Sequence, residues 1–351
     1  MSKYYCYSII IAVLLTSCKK SVQVSTIDKD LQQKAEKILL TEVTKSKVDS
    51  AIVLVMSVKT GEIKALVKVT KSDSLTYSAK YSETSINTPQ EPGSIFIPFS
   101  IMASIEQGNV SLEDSVEIGN GVYEVAGQLF RDRNANQGGF GKISIIQSVL
   151  LTSNIGTILT VEKAFNYSNK FITQFKNMSI VQKQFNLQNK KELTPDLIAN
   201  LSIGYGLKMT PLQILTCYNA IANNGRMMKP VFITGQDSVI NPRICSDKTI
   251  RSTQQMLVKK AGIMMEDIGQ KNINKIAGTR GTAVHNINSK IYDFKYCYSY
   301  FPSDKPKYSC LVIIYRERNY QDERILLKHI TKTINQLADI LNKDKNEQQF
   351  N

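Results

Sequence analysis

The chain has 351 residues, of which 42% are hydrophobic and 21% charged, so it has enough apolar side chains for a folded core. This composition excludes a mainly disordered protein. The formal net charge of +14 comes from lysines and arginines scattered along the sequence rather than gathered in a stripe, so we expect a basic, solvated surface and no nucleic-acid partner.

The N-terminus is typical of an export signal. Lys3 precedes an apolar run over residues 9–15, which is too short to span a bilayer but suits the hydrophobic part of a signal peptide. Small residues then precede Cys18, a pattern similar to the lipobox of bacterial lipoproteins. We therefore predict a signal peptide over 1–17, lipid on Cys18 and a tether over 18–27. The alternative is an ordinary signal peptide with a chance cysteine.

The sequence after the tether predicts a helix, a hairpin and a long helical region. Apolar residues at helical spacing predict a helix over 28–48. Two β-rich runs over 51–58 and 62–69 predict a hairpin, and polar residues over 71–90 predict a loop. Helical signals then dominate from about 98 to 200.

The C-terminal part returns to strands and ends in a helix. A further helix is expected over 210–222, with Pro211 in its first turn. Strand signals follow at 273–285, 291–300 and 308–315. The last predicted helix has an apolar stripe formed by Ile330, Ile334, Leu337 and Leu341.

Strands at both ends of the chain with helices between them predict an α+β fold. We expect one domain over 28–345, in which distant segments form an antiparallel sheet and the terminal helices pack on one face of it. The helical insert over about 98–200 forms a subdomain, with a cleft between it and the sheet. Residues 346–351 are expected to be a disordered tail.

Four cysteines remain after the signal peptide and the lipid site: Cys217, Cys245, Cys297 and Cys310. They form no C-x-x-C pair, and the chain has only two histidines, so no metal site and no cofactor are expected. Cys297 and Cys310 lie on neighbouring strand-like runs. We expect them to be buried free thiols, and a disulfide between them is the alternative.

Several short motifs occur in a fixed order between residues 50 and 340. They read EPGSIFIP at 91–98, LTSNIG at 151–156, SIGYGL at 202–207, AGTRGTA at 277–283 and FPSDKPKY at 301–308. Together these motifs resemble the transpeptidase domain of class B penicillin-binding proteins. The resemblance implies a penicillin-binding/serine β-lactamase-like fold, acyl transfer by a serine, and a peptidoglycan stem peptide or β-lactam as the ligand.

The first motif of that family, S-x-x-K, is incomplete here. The resemblance places Ser94 at the nucleophile position, after a Pro-Gly turn; alternatively, Ser94 only caps the helix that follows. Ile97 occupies the place of the lysine, and at three residues along a helix it faces the same way as Ser94. An isoleucine accepts no proton, and loss of a positioned base lowers a rate by about 10²- to 10⁴-fold.

The second motif, S-x-N, is altered but partly kept. Thr152 stands in for the serine and still offers a hydroxyl for proton relay. Asn154 is expected to bind a substrate amide, and Ser153 is predicted to contact substrate as well. The alternative is that these side chains only cap a helix.

The third motif, K-T-G, has lost its lysine. Thr279 stands at that position and brings no charge, whereas Arg280 brings a cation but should face away, because neighbouring strand residues point to opposite faces. A bulge or a one-residue slip would be needed to turn Arg280 towards the substrate. Gly281 and Thr282 are expected to lie beside the ligand.

A substitute base is the remaining question. His285 follows the third motif, so a Ser94–His285 pair is one hypothesis, and an exposed histidine at the end of a strand is the alternative. The leading hypothesis is a catalytically impaired, membrane-anchored lipoprotein of the periplasm or cell envelope that binds peptidoglycan or proteins of division and cell-wall synthesis. The alternative is an active D,D-transpeptidase or carboxypeptidase, acylated at Ser94 with an unusual base.

Overall fold

A computed structural model provides the structure of the protein. The predicted signal peptide, the lipid site at Cys18 and the predicted tail lie outside the described residues. The described residues are 24–72, 76–80, 83–181, 193–318 and 323–343.

The centre of the fold is an antiparallel sheet of six described strands, in the order β10-β11-β12-β1-β2-β3. The first and last strands of the chain meet in its middle, because β1 pairs with β12 from Ser50↔Tyr315 to Ser57↔Tyr308. The predicted closure of one sheet by distant segments is therefore confirmed. The strands are β1 Ser50–Ser57, β2 Ile63–Lys71, β3 Tyr77–Lys80, β10 Ala277–Ile287, β11 Lys290–Phe301 and β12 Tyr308–Glu317.

Both faces of the sheet are covered, which explains the almost continuous apolar sequence of β1. Alternate side chains of a strand point to opposite faces. Leu54 and Met56 therefore join the core beneath the helical subdomain. Val53 and Val55 join a second core beneath the terminal helices.

The terminal helices pack together on one face, as predicted. Helix α1, Lys29–Ser46, begins at Asp28, whose carboxylate accepts the N–H of Leu31 at 3.0 Å. Helix α10, Glu323–Lys343, buries the predicted apolar stripe in the same core as α1. These two helices shield one side of β1 and β12 from water.

The other face of the sheet lies against a helical subdomain that extends further than predicted. The predicted helix over 210–222 is confirmed as Pro211–Ala222, but a long helix over 247–266 was not predicted. The helices are α2 Glu83–Asn87, α3 Ile97–Glu106, α4 Ile145–Leu151, α5 Asn154–Phe165, α6 Lys170–Asn177, α7 Pro195–Ser202, α8 Pro211–Ala222 and α9 Asp247–Glu266.

The insert over 98–200 is not entirely helical, and the loop predicted over 71–90 contains β3 and α2. Short two-stranded sheets, β4 with β7 and β5 with β6, interrupt the helices of the insert, and β8 pairs with β9 after it. Their strands are β4 Ser115–Glu117, β5 Val122–Val125, β6 Gln128–Arg131, β7 Lys142–Ser144, β8 Met227–Met228 and β9 Val239–Asn241.

Cys297 and Cys310 are buried free thiols, as expected, and the alternative disulfide does not form. Cys217 and Cys245 are buried free thiols as well. Cys297 pairs across the sheet with Val312, and Cys310 pairs with Ser299. Burial raises the pKa of both thiols. None of the helices in the described ranges has the length and apolarity needed to cross a bilayer.

Candidate active site

A cavity of about 320 Å³ brings most of the predicted site residues together. It lies where β10, the turn containing Ser94, the α4–α5 junction and α9 meet. A larger cavity, about 640 Å³, lies against β2, β11 and β12 and contains none of the predicted site residues. The smaller cavity is lined by Ser94, Arg131, Asp132, Arg133, Leu150, Leu151, Thr152, Asn154, Lys260, Ile263, Arg280, Gly281, Thr282 and Leu327.

Ser94 is held by a close approach of three backbone segments. It lies in a short 3-10 helix, Gly93–Phe96, that leads directly into α3. Gly93 has φ +59° and donates its N–H to the carbonyl of Gly204 at 3.0 Å. A Cβ on Gly93 would lie 2.5 Å from the carbonyl oxygen of Thr282, so only glycine fits there. The turn thus places Ser94 against β10.

Ile97, at the position of the family's lysine, is part of the apolar core rather than of the cavity. Its side chain is 1% exposed and packs in the core beneath the helical subdomain. It is not among the described residues that line the cavity. The first motif therefore places no base beside Ser94.

Thr152 reaches the cavity from a strained backbone. It ends α4 at φ +57°, a conformation that is costly for a β-branched residue. Asn154 also lines the cavity, and its Nδ2 donates to the carbonyl of Arg131 at 3.3 Å. The second motif is thus present as a hydroxyl and an amide.

The predicted contact of Ser153 with substrate is wrong. Ser153 is 1% exposed, and its hydroxyl donates to Asp132 at 2.5 Å and accepts the N–H of Gly156 at 2.8 Å. It begins α5 as the N-cap, which turns its side chain inward. The capping alternative therefore holds for Ser153 alone.

The third motif reaches the cavity through Arg280 rather than through Thr279. Thr279 is 2% exposed and does not belong to the described cavity wall. Strand β10 pairs with β11 in continuous register, so the bulge or slip considered for Arg280 does not occur. Arg280 instead reaches the cavity because β10 is the edge strand of the described sheet, and there it pairs with Asp267 and approaches Thr331 on α10.

Gly281 has no room for a side chain, because the turn containing Ser94 lies directly against it. A Cβ on Gly281 would lie 2.2 Å from the backbone nitrogen of Ile95 and 2.7 Å from the carbonyl carbon of Ser94. This contact explains the glycine of the third motif as a packing requirement.

Gly281→Ala is expected to lower the free energy of unfolding by about 1–3 kcal/mol, because the turn and β10 must separate to admit the methyl group. Thermal and urea unfolding measure the change. Gly262→Ala on α9 is the matched control, because no atom lies within 4 Å of a Cβ there, and it should leave stability unchanged or raised. Equal stability of the two variants would contradict the close packing of Ser94 against β10.

His285 does not reach the cavity, so the predicted Ser94–His285 pair does not form. Its ring packs edge-on against Phe294, with the ring centres 4.6 Å apart. Its Nε2 is buried and lacks a hydrogen-bond partner within the described chain. Burial lowers the pKa of His285 below its usual value. The alternative of an exposed histidine is also wrong.

Lys260 is a residue of the site that sequence reasoning missed. It lies on α9 and is only 4% exposed, yet its Nζ lines the cavity. Nζ lies 2.7 Å from the carbonyl oxygen of Leu150 and 2.9 Å from Oγ1 of Thr152. Burial, with Arg280 and Arg133 nearby, lowers the pKa of Lys260 to about 7.

A second buried amine approaches the cavity from β11. Lys295 is fully buried, and its Nζ lies 3.4 Å from Oγ1 of Thr282, which lines the cavity. This bond is longer than that between Lys260 and Thr152. The cavity thus has an amine behind each of two threonine hydroxyls, although the motif positions Ile97 and Thr279 have none.

A family model of the penicillin binding protein transpeptidase domain matches residues 51–336. The chain is similar to the peptidoglycan D,D-transpeptidase FtsI of Buchnera aphidicola, with 24% identity over 86% of this chain and 55% of that protein. FtsI of Escherichia coli is 24% identical over 82% of this chain and 51% of its own length. The chain spans about half the length of the curated relatives it matches.

Solved structures show the same fold. The transpeptidase domain of penicillin-binding protein 3 from Burkholderia pseudomallei superposes with a TM-score of 0.74 at 21% identity, over 91% of this chain and 96% of that one. Penicillin binding protein 3 of Mycobacterium tuberculosis, complexed with aztreonam, gives 0.70 at 19% identity, over 92% and 79% of the two chains. The predicted penicillin-binding fold is therefore confirmed.

Proposed function

Because the chain belongs to the family of penicillin-binding protein transpeptidase domains, we propose that its Ser94 cavity binds peptidoglycan stem peptides and β-lactams but transfers acyl groups only slowly. The observation on which the proposal rests is the burial of Ile97 in the core, at the position of the family's base. Ser94, Asn154 and Thr282 remain on the cavity wall.

The chemistry explains why binding and turnover separate. A serine hydroxyl is a weak nucleophile unless a base removes its proton. Binding needs only the shape and the polar groups of the cavity, which include Arg280 and the Asn154 amide. Loss of the positioned base accounts for a slowing of about 10²- to 10⁴-fold.

We further propose that the protein acts in the cell envelope as a lipoprotein anchored through Cys18. The signal-like N-terminus supports this location. In this role the domain binds peptidoglycan, or proteins of cell division and cell-wall synthesis. It cross-links peptidoglycan more slowly than an active enzyme does. The similarity to FtsI proteins supports the cell-wall setting.

The second candidate function is an active D,D-transpeptidase or carboxypeptidase that is acylated at Ser94. One observation favours it: the buried amine of Lys260 lies within hydrogen-bond distance of Thr152 in the same cavity. The two candidates differ in the rate of the covalent step, not in the ligand.

A fluorescent penicillin separates binding from acylation. We expect reversible binding by fluorescence anisotropy in wild type and in Ser94→Ala, with weaker binding in Asn154→Ala because the cavity loses an amide. On denaturing gels, wild type should show little covalent label within minutes, and Ser94→Ala none. Rapid Ser94-dependent labelling at low penicillin concentration would establish the active enzyme instead, and absence of reversible binding would refute the binding function.

A further inference from the structure

We propose that Lys260 replaces both motif lysines of this site and supports the residual acylation of Ser94 through the hydroxyl of Thr152. This inference rests on the proposed function, because it concerns an acyl donor bound in the Ser94 cavity. Lys260 acts through Thr152 and is therefore a positioning residue.

The first support is geometric. Helix α9 packs against α4 and places the Lys260 amine at the α4–α5 junction, 2.9 Å from the Thr152 hydroxyl. The same amine lies 2.7 Å from the Leu150 carbonyl at the end of α4. Thr152 and Ser94 line one cavity of about 320 Å³. The amine therefore reaches the hydroxyl of the second motif from a helix outside all three motifs.

The second support is that the site suits a neutral amine. A neutral amine has two N–H donors and one lone pair, so it can donate to the Leu150 carbonyl while accepting the Thr152 hydroxyl proton. Burial disfavours the ammonium form, and its pKa near neutrality leaves both forms populated.

The charges around Lys260 also favour the neutral form of its amine. The packed helices α4 and α8 have no charged residue, and Glu106 of α3 binds Ser246 at the opposite end of α9. Asp132 is occupied by Ser153, and Asp267 by Arg280, so neither carboxylate pairs with the amine. The remaining charged groups on the cavity wall are cations, Arg131, Arg133 and Arg280.

The proposed step moves one proton from Ser94 along the relay and returns one to the lactam nitrogen. As Ser94 Oγ bonds to the lactam carbonyl carbon, its proton passes to Thr152 Oγ1, and the Thr152 proton passes to Lys260. The resulting ammonium returns a proton through Thr152 to the lactam nitrogen when the carbon–nitrogen bond breaks. The product is an acyl-enzyme with a neutral amine, ready for the next transfer.

Acylation at saturating fluorescent penicillin, followed over hours between about pH 6 and pH 9, tests the proposal. The acylation rate of wild type should rise with pH, reach half its maximum near pH 7 and then level off, because only the neutral amine accepts the proton. Lys260→Met should lower the rate by about 10²-fold and abolish this midpoint. Ser94→Ala should give no label.

Lys260→Arg distinguishes proton transfer from structural support. The guanidinium still donates to Thr152 and to the end of α4, but it does not lose a proton in this range. The arginine variant should therefore be folded and as slow as the methionine variant. Lys295→Met, which removes the other buried amine, should keep the midpoint near 7.

The outcomes are decisive in both directions. The role of Lys260 would be overturned if wild type were acylated no faster than Lys260→Arg, or if the pH midpoint of acylation moved only in Lys295→Met. It would also be overturned if no Ser94-dependent label appeared at any pH. In the last case, persistent reversible binding would leave the proposed function standing, whereas loss of that binding would refute the function itself. If Lys260→Met fails to fold, the arginine variant and the wild-type midpoint still decide.

Discussion

Ile97→Lys in a Lys260→Met protein is expected to raise the rate of Ser94 acylation by about 10²- to 10⁴-fold. Ile97 lies three residues after Ser94, at the start of α3, so a lysine there begins about one helical turn from the hydroxyl. Its flexible stem lets the amine reach the cavity although the site is buried. The Lys260→Met background avoids two amines repelling each other in one cavity.

The matched control is Ile97→Met in the same background, because methionine has similar length and no amine. The ratio of the two acylation rates with fluorescent penicillin measures the effect, and Ser94→Ala must remove the label in both. Thermal unfolding should show that the lysine variant is folded but less stable, since it removes an apolar side chain from the core and desolvates a charge. Equal rates in two folded variants would show that a missing base does not limit this site.

Between about pH 6 and pH 9, wild type is expected to gain about 2–3 kcal/mol of stability relative to Lys260→Met. The pKa of Lys260 is about 7 in the folded protein, well below that of a free lysine. Above pH 7 the folded protein therefore releases a proton that the unfolded chain retains. Unfolding then requires proton uptake, so stability rises with pH until the unfolded lysine also titrates.

Urea unfolding of both proteins across this pH range measures the difference. Lys259→Met is the matched control, because Lys259 is the exposed neighbour of Lys260 on α9 and should show no such gain. If the difference between wild type and Lys260→Met stays constant with pH, the buried amine keeps one protonation state. The proposed relay through Thr152 would then lose its proton acceptor.

The sheet and the terminal helices could be predicted because their signals are local. The β1 run of apolar residues and the stripe of α10 follow from side-chain periodicity alone. The order of the motifs then identified the fold family, since each motif occupies its own turn or strand. The position of Ser94 on a Pro-Gly turn before α3 is the clearest example.

The neighbours of Lys260 could not be predicted in the same way. Its partner Thr152 lies more than a hundred residues earlier, and no local pattern joins α9 to the end of α4. The start of α9 did have a readable signal, because Ser246 precedes it as the N-cap and apolar residues follow at helical spacing. Recognising the helix would still not have oriented this one lysine.

Two other differences have simple geometric causes. Strand alternation predicted that Arg280 faces away from the substrate. Its side chain is long and lies on an edge strand, so it still reaches the cavity. Ser153 lies between two cavity residues, yet its position as the N-cap of α5 turns its side chain towards Asp132. In both cases the deciding contact comes from another element of the fold.

The pairing of β1 with β12 also determines when the molecule can fold. The ribosome adds β1 and β2 before β12, so one edge of β1 has no partner strand until β12 has emerged. An unpaired apolar edge strand invites association with other chains. The sheet is therefore completed only once β12 has emerged, and the edge of β1 is open to such association until then.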